Sequence, residues 1–213
     1  MKRTIAGLIL LCLSVLPAAA QVTFGVRTGG SFSTLVEKEG TTYKAGGRIG
    51  YSVAGLAEIP LRGIHRRLSL RTEAAFVSQG GSFYTGRDAE GEGGYNNKCG
   101  YYSLRLPVAV AYTFPFHDVH ISVSAGPAVD FALFGNMRNR DKNGSMSFGR
   151  SEGKDLKPVD LGVGVGLTVE YLQCFFSVVT NGGVTDRKAF KPAGEPSVYQ
   201  NNVTFSLGYY FRK

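Results

Sequence analysis

The stretch Leu161-Gly162-Val163-Gly164-Val165-Gly166-Leu167-Thr168-Val169-Glu170-Tyr171 alternates strictly between two kinds of side chain. Its odd-numbered positions are bulky and apolar, whereas its even-numbered positions are glycine, threonine or glutamate. A period of two residues predicts a β-strand with one apolar face, because successive side chains of a strand point to opposite faces. The stretch also has the length that a tilted strand needs to cross a bilayer.

Seven further segments carry the same period, and no convincing helical pattern separates them. They are residues 22–30, 49–59, 68–79, 102–112, 119–131, 173–182 and 202–211. The segment 173–182 is the weakest, since Cys174-Phe175-Phe176 interrupts the alternation. The chain is therefore predicted to be all-β, with eight strands.

The predicted connections alternate between long and short along the chain. The long ones are residues 36–42, 80–100, 135–157 and 184–197, and the short ones are residues 60–66, 115–118 and 172–173. In outer-membrane barrels long loops face outward and short turns face the periplasm. We therefore expect an eight-stranded antiparallel up-and-down transmembrane β-barrel with both termini at the periplasmic end.

The two faces of the predicted strands differ in charge. The bulky apolar face carries no charge, as contact with lipid requires. The opposite face mixes small residues with eight charges, which we predict to form a network in the lumen: Arg27, Arg48, Glu58, Arg71, Glu73, Arg105, Asp130 and Glu170. A soluble barrel with an apolar interior is the alternative, but those eight charges would leave an apolar ligand little to bury against.

Aromatic residues are expected in two belts at the two ends of the strands, as at membrane–water interfaces. The periplasmic set is Phe24, Tyr112, Phe114, Phe116, Tyr171, Tyr209 and Phe211. The extracellular set is Phe83, Tyr84, Tyr101, Tyr102, Phe131, Phe134 and Tyr199. Aromatic residues that merely cap the strands of a soluble sandwich are the alternative interpretation.

Residues 1–20 are typical of a signal peptide. Lys2 and Arg3 precede an apolar run at 5–16, and Ala18-Ala19-Ala20 provides the small residues of a cleavage site. We expect cleavage near Ala20, export by a Sec-type route, and a single outer-membrane β-barrel domain at 21–213. Cys12 lies inside the apolar run, not at its end, so plain secretion is favoured over lipid attachment.

The predicted mature chain is basic, with 22 basic residues against 16 acidic ones, a net charge of +6. An exported Gram-negative protein meets no nucleic acid, so we expect outer-membrane lipid and lipopolysaccharide as partners. An ordinary basic surface is the alternative. Cys99 and Cys174 are predicted to stay unpaired, because a bilayer thickness would separate them.

Short motifs resemble the PorT-like outer-membrane β-barrel family of the Bacteroidetes. They are Leu104-Arg105-Leu106-Pro107, Ala125-Gly126-Pro127, Asp160-Leu161-Gly162 and Gly208-Tyr209-Tyr210-Phe211. The resemblance covers essentially the whole predicted mature chain. It implies an eight-stranded, porin-like outer-membrane barrel without a defined activity; one namesake member takes part in a secretion machinery.

No constellation of residues predicts catalysis. His65, His117 and His120 lie near predicted periplasmic turns, without a clustered Ser/His/Asp pattern around them. Metal-ligand spacings are absent from the sequence, and the glycines at 162, 164 and 166 lie in a strand that no helix follows. We therefore expect no enzyme activity, no catalytic residues, no metal and no cofactor.

The leading functional hypothesis is an integral outer-membrane barrel with a side-chain-plugged lumen and a structural, adhesive or accessory role. A small porin that passes solutes is the first alternative, although eight strands leave an interior just wide enough for side chains. An accessory factor of a protein secretion system is the second, and it rests on the resemblance. The barrel-assembly machinery is an expected partner during biogenesis, and an envelope or secretion-machinery protein is a further candidate.

Overall fold

The computed structural model describes residues 22–39, 42–61, 64–87, 93–139, 143–191 and 196–212, so the predicted signal peptide at 1–20 lies outside the described residues. Nine strands form in the described part: β1 (Thr23–Glu39), β2 (Thr42–Pro60), β3 (Leu68–Arg87), β4 (Gly93–Phe116), β5 (Val119–Arg138), β6 (Asn143–Ser145), β7 (Val159–Tyr171), β8 (Cys174–Gly183) and β9 (Ser197–Phe211). Within these same residues, no helix is long and apolar enough to cross a membrane.

Eight of these strands close into one antiparallel barrel. Each pairs with the next along the chain, β5 pairs with β7, and β9 returns to pair with β1. The short strand β6 adds only to the far end of β5, where Asn136 pairs with Ser145. The prediction of an eight-stranded antiparallel barrel is confirmed. Each of the eight predicted segments coincides with a barrel strand, with only Val22 and Gln173 lying one residue outside β1 and β8.

Tight turns join the strands at the end of the barrel where the described chain begins, at Val22, and ends, at Arg212. His117-Asp118 connects β4 to β5, and Leu172-Gln173 connects β7 to β8. His117 and Leu172 have φ angles of 52° and 57°, the left-handed backbone that two-residue hairpin turns require. This end is the periplasmic end in the arrangement typical of outer-membrane barrels.

The extracellular ends of the strands are longer than the alternation predicts. Residues 36–39 belong to β1, and much of the predicted loop at 80–100 forms an extended β3–β4 hairpin instead. Residues 135–138 likewise continue β5. The predicted bounds of these long loops were wrong, because strands beyond the bilayer continue their backbone pairing without an apolar face.

The outward face of the barrel is apolar, and aromatic rings lie near both of its ends. The extracellular cluster is built from Tyr51, Phe76, Tyr102 and Phe134, with the rings of Tyr102 and Phe134 4.9 Å apart. Along β4, the stretch from Tyr102 to Phe114 spans about 30 Å in the direction of the barrel axis, at a rise of ~3.3 Å per residue and a strand tilt of ~40°. That is the thickness of a hydrocarbon core.

Two residues of the predicted extracellular belt face the other way. Phe83 and Tyr101 are 4% and 1% exposed and pack inside the mouth of the barrel. On β4, Tyr101 shares its face with Cys99, also buried, whereas Tyr102 points outward. Tyr51 on β2 and Phe76 on β3 occupy the outward positions instead. Both strands continue further toward the extracellular end than the sequence pattern indicated.

Strand β3 bends at Gly80-Gly81. Both glycines have φ angles near +155° (152° and 157°), and the register of β2 against β3 shifts between Gly46 and Ser52. A Cβ on Gly81 would lie 2.4 Å from the Gly46 carbonyl oxygen, so a side chain is excluded there. The Gly80 amide donates to Ser33 Oγ at 2.9 Å, which holds the bend against β1.

One wall of the lumen is built largely of glycine. Gly126, Gly164 and Gly166 share the inward face of β5 and β7, so long side chains from the opposite wall have space to cross. The fit is close: a Cβ on Gly126 would lie 2.0 Å from the Val108 carbonyl oxygen. Gly126 is therefore needed because the backbone of β4 lies too close for a side chain, and not only because the lumen needs space.

Gly126→Ala is expected to destabilise the barrel by about 1–3 kcal/mol, the cost of overpacking an interior. Gly55→Ala is the matched control, because a Cβ on the outward-facing Gly55 meets no atom within 4 Å. Its free energy of unfolding should be unchanged or slightly higher. Urea unfolding in lipid vesicles measures both, and equal stability of the two variants would contradict the packing described for Gly126.

The two described cysteines are free thiols, Cys99 buried at the extracellular end and Cys174 exposed beside the Leu172-Gln173 turn. We expect a maleimide to modify Cys174 in the folded protein and Cys99 only after unfolding. Peptide mass mapping of the labelled full-length chain reads both sites, with Cys99→Ser as the control. A 99–174 disulfide would contradict the strand order, since bridged Cα atoms lie within roughly 7 Å.

Candidate functional site

The upper part of the lumen is organised around Arg105 on β4. Its Nε lies 2.8 Å from Asp130 Oδ2 on the neighbouring strand. Its Nη2 donates to Gln79 Oε1 at 2.8 Å, and its Nη1 donates to Asn202 Oδ1 at 3.2 Å. Gln79 and Ser103 both donate to Asp130 Oδ1. All three guanidinium nitrogens therefore have partners, which is what a buried cation requires.

The middle of the lumen is crossed by Arg27, which extends from β1. Its Nη2 lies 2.6 Å from Glu73 Oε1 on β3, so the pair spans the intervening strand β2. The same guanidinium donates through Nη1 to Ser206 Oγ at 3.0 Å. Ser206 and Ser177 then form a hydroxyl pair at 2.8 Å. The side chain thus ties four strands together.

Arg71 forms a third link across the lumen, on the periplasmic side of the Arg27–Glu73 pair. Its Nε lies 3.1 Å from Glu58 Oε2 on β2, and its Nη2 donates to Ser122 Oγ at 3.0 Å on β5. Because β2 and β5 are on different sides of the β3–β4 pair, Arg71 links both sides of the lumen.

The periplasmic end is closed by Glu170, Arg212 and two aromatic rings. Arg212 is the residue that follows β9. It forms an ion pair with Glu170, and its Nη2 lies 3.9 Å from Glu58 Oε2. The Arg212 guanidinium also sits 4.7 Å from the centre of the Tyr210 ring, which packs against Phe175. The Arg212–Glu170 ion pair and the two aromatic rings together fill the periplasmic end of the lumen.

The structure brings seven of the eight predicted lumen charges into these connected layers: Arg27, Glu58, Arg71, Glu73, Arg105, Asp130 and Glu170. Arg48 is not among them. Its guanidinium occupies the place that a side chain on Gly100 would take. That position belongs to the outer face of β4, because Cys99 and Tyr101 on either side both point inward.

Sequence reasoning missed several members of the network. Asp160 and Arg212 are in phase with the inward residues of β7 and β9, so their positions were readable from the period. Gln79 and Asn202 are in phase with the inward residues of β3 and β9, but the period does not show that they accept hydrogen bonds from Arg105. Arg187 lies in the connection between β8 and β9, where no period exists to reveal a buried side chain.

The extracellular mouth is closed by an apolar cluster. Strand residues combine with Met146 and Leu156 from the β6–β7 connection, and the buried members are Leu35, Phe83, Cys99, Tyr101, Met137, Met146, Leu156 and Val198. Backbone hydrogen bonds hold the connections in place, with Lys157 N donating to Arg187 O at 2.8 Å and Arg187 N to Val198 O at 2.7 Å. The mouth is therefore covered by ordered chain.

The buried guanidinium of Arg187 lies against this apolar cluster. Its side chain is 1% exposed, and its guanidinium lies 5.4 Å from the centre of the Tyr101 ring. None of its three nitrogens has a hydrogen-bond partner in the described part of the chain. Burial works against its charge, but Tyr101, Asp160 and Asp130 outweigh that effect and raise the pKa of Arg187. It therefore stays positive and complements the acidic groups of the upper lumen.

One small cavity lies in the middle of the lumen. A cavity of about 80 Å³ remains beside Arg27, Arg71 and Glu73, against the glycine wall. It has room for a few water molecules and not for a continuous aqueous path.

The three histidines lie at the periplasmic end. His65 Nδ1 accepts from the Arg67 amide at 3.2 Å, and His117 forms the β4–β5 turn. His120 shares the inward face with Glu170, its partner in register. Among the described residues, no group of three or more His, Cys, Asp or Glu side chains is arranged to hold a metal ion.

Several solved structures of small barrels are similar to this chain. Ail, the attachment invasion locus protein of Yersinia pestis, solved with the heparin analogue sucrose octasulfate, has 10% identity and a TM-score of 0.45, over 89% of this chain and 99% of that one. Neisserial surface protein A has 11% identity and a TM-score of 0.45, over 87% and 96%. The N-terminal β-barrel domain of Pseudomonas aeruginosa OprF has 11% identity and a TM-score of 0.32, over 89% and 100%.

No curated protein matches the sequence. Residues 18–186, by contrast, match the family described as the outer membrane protein beta-barrel domain. The match covers well over half of the chain, and the closed barrel with its apolar outer face agrees with it. The chain is thus an outer-membrane protein and belongs to the outer membrane protein β-barrel domain family.

Proposed function

We propose that this protein is a closed, non-conducting barrel with a structural or adhesive role, in which the lumen stabilises the fold and the extracellular rim makes the functional contacts. The observation that carries the proposal is the filling of the lumen at successive heights. Paired charges occupy its length, and the apolar cluster around Leu35, Tyr101 and Leu156 covers its mouth. An interior filled in this way supports the wall and carries no solute.

A non-enzymatic role fits the environment of the lumen carboxylates. Glu58, Glu73, Asp130 and Glu170 each lie in an ion pair with an arginine. A general acid or base needs a reacting group within hydrogen-bond reach, and these carboxylates are engaged with structural partners. We assign these four carboxylates a structural role, in which their ion pairs hold strands together.

The route to the membrane is part of the same proposal. Cleavage near Ala20 would release the chain for insertion by the barrel-assembly machinery, and lipopolysaccharide would surround the finished barrel. The motifs at 104–107 and 125–127 support placement in the PorT-like group. An accessory contact with an envelope or secretion protein would then involve the β3–β4 hairpin, which continues beyond the aromatic cluster at the extracellular end.

Planar-bilayer recording of the purified protein distinguishes the plug from the porin alternative. We expect no steady ion-selective steps, because paired charges occupy the length of the lumen and the apolar cluster covers its extracellular mouth. Steady ion-selective steps from the wild-type protein at neutral pH would contradict the closed lumen and favour solute passage.

Arg105→Ala is expected to lower the free energy of unfolding by about 3–5 kcal/mol, the range for breaking a buried pair, since Asp130 keeps an uncompensated charge. Arg105 is 3% exposed. Arg150→Ala, in the exposed part of the β6–β7 connection, is the control and should change stability by less than about 0.5 kcal/mol. Urea midpoints in vesicles measure both. A loss as small as that of the control would show that water screens the pair.

A further inference from the structure

Three basic side chains from three strands line one cleft at the extracellular end of the outer wall. Arg48 comes from β2, Lys98 from β4 and Arg138 from β5, and the cleft has a volume of about 400 Å³. Asn136 and Asn143 add side-chain amides to its lining. We call this feature the rim cleft. It is separate from the lumen network.

Arg48 enters the rim cleft because of the bend in β3. The β2–β3 ladder is interrupted between Gly46 and Ser52, and β3 carries no side chain at Gly80 and Gly81. The Arg48 side chain therefore extends across β3 and places Nη1 0.9 Å from where a Cβ on Gly100 would lie. Gly100 faces outward, so the guanidinium lies on the outside of the barrel wall.

The cleft brings three positive charges of the described chain together. Lys98 and Arg138 are direct partners in the β4–β5 register, and like charges in that arrangement repel each other. None of the three cations has a carboxylate partner among the residues that the structure describes, and no acidic residue lines the cleft there. Such a set is stabilised by an anion that bridges its members.

The height of the cleft identifies the source of that anion. Tyr102 belongs to the outer aromatic cluster and lies two residues from Gly100 on β4. Tyr51 of the same cluster lies three residues from Arg48 on β2. Aromatic clusters of this kind mark the boundary between hydrocarbon and headgroups. Basic groups directly above it face the headgroup layer, where lipid phosphates lie.

We propose that the rim cleft binds a phosphate group of a phosphorylated glycolipid in the outer leaflet. Arg48 and Arg138 each offer a planar fork of donors that matches phosphate oxygens, and Lys98 adds a point charge to the same cleft. The apolar and aromatic surface below accommodates the acyl chains of the same molecule. This inference requires the outer-membrane location but not a closed lumen.

The test compares lipid binding by the wild-type protein with that of Arg48→Gln/Lys98→Gln/Arg138→Gln. Full-length protein in nanodiscs is titrated with bisphosphorylated lipid A, with the same lipid after removal of both phosphates, and with inorganic phosphate alone. We expect the triple variant to bind bisphosphorylated lipid A at least about tenfold more weakly. The wild type should also prefer that lipid over its dephosphorylated form by a similar factor.

Arg150→Gln/Lys154→Gln/Lys191→Gln is the matched control, because it removes the same charge from exposed positions at the same end of the barrel. It should bind like the wild type, with unchanged heat-dependent gel mobility. If the cleft triple variant does not fold, Lys98→Gln alone replaces it, with a smaller loss expected. Equal binding by variant and wild type, or equal binding of the dephosphorylated lipid, would overturn the proposal. Inorganic phosphate binding as tightly as the lipid would assign the site to the free ion instead.

Discussion

Every backbone amide and carbonyl inside a bilayer must find its hydrogen-bond partner within the protein, and the other features of this structure depend on that constraint. A sheet meets it only by closing, as β1 and β9 do here. Closure with eight strands gives an interior just wide enough for side chains to fill. Long arginines facing glycines are one solution to this geometry, since a glycine wall offers space where each arginine needs it.

The charges in that interior require partners for the same reason that the backbone does. An isolated ion in a poorly hydrated lumen is strongly unfavourable, and a pair without further hydrogen bonds gains little. Arg105 satisfies this requirement most fully, with a carboxylate, a glutamine and an asparagine around one guanidinium. Arg27 and Arg71 donate to serine hydroxyls in the same way, and Arg71 also donates to the hydroxyl of Thr168. The plug is thus a hydrogen-bonded network and not a collection of ion pairs.

The period of two residues was sufficient to predict the eight barrel strands and the inward direction of most charged side chains. It could not predict which charges pair, because Arg27 reaches Glu73 across an intervening strand and no local pattern records that distance. It also failed above the membrane, where both faces of a strand meet water and the apolar alternation stops, as in the β3–β4 hairpin. Arg48 was placed in the lumen by phase alone, and the bend at Gly80-Gly81 directs its guanidinium elsewhere.

The central claim is that lumen charges act as coupled pairs that hold distant strands together, and a double-mutant cycle on Arg27 and Glu73 tests it most directly. Urea unfolding in vesicles of the wild type, Arg27→Ala, Glu73→Ala and the double variant gives the coupling energy. The 2.6 Å contact between side chains that are 6% and 14% exposed predicts a coupling of about 1.5 kcal/mol or more. A coupling within about 0.5 kcal/mol of zero would mean that the two residues act independently, and would contradict the plug as a stabilising network.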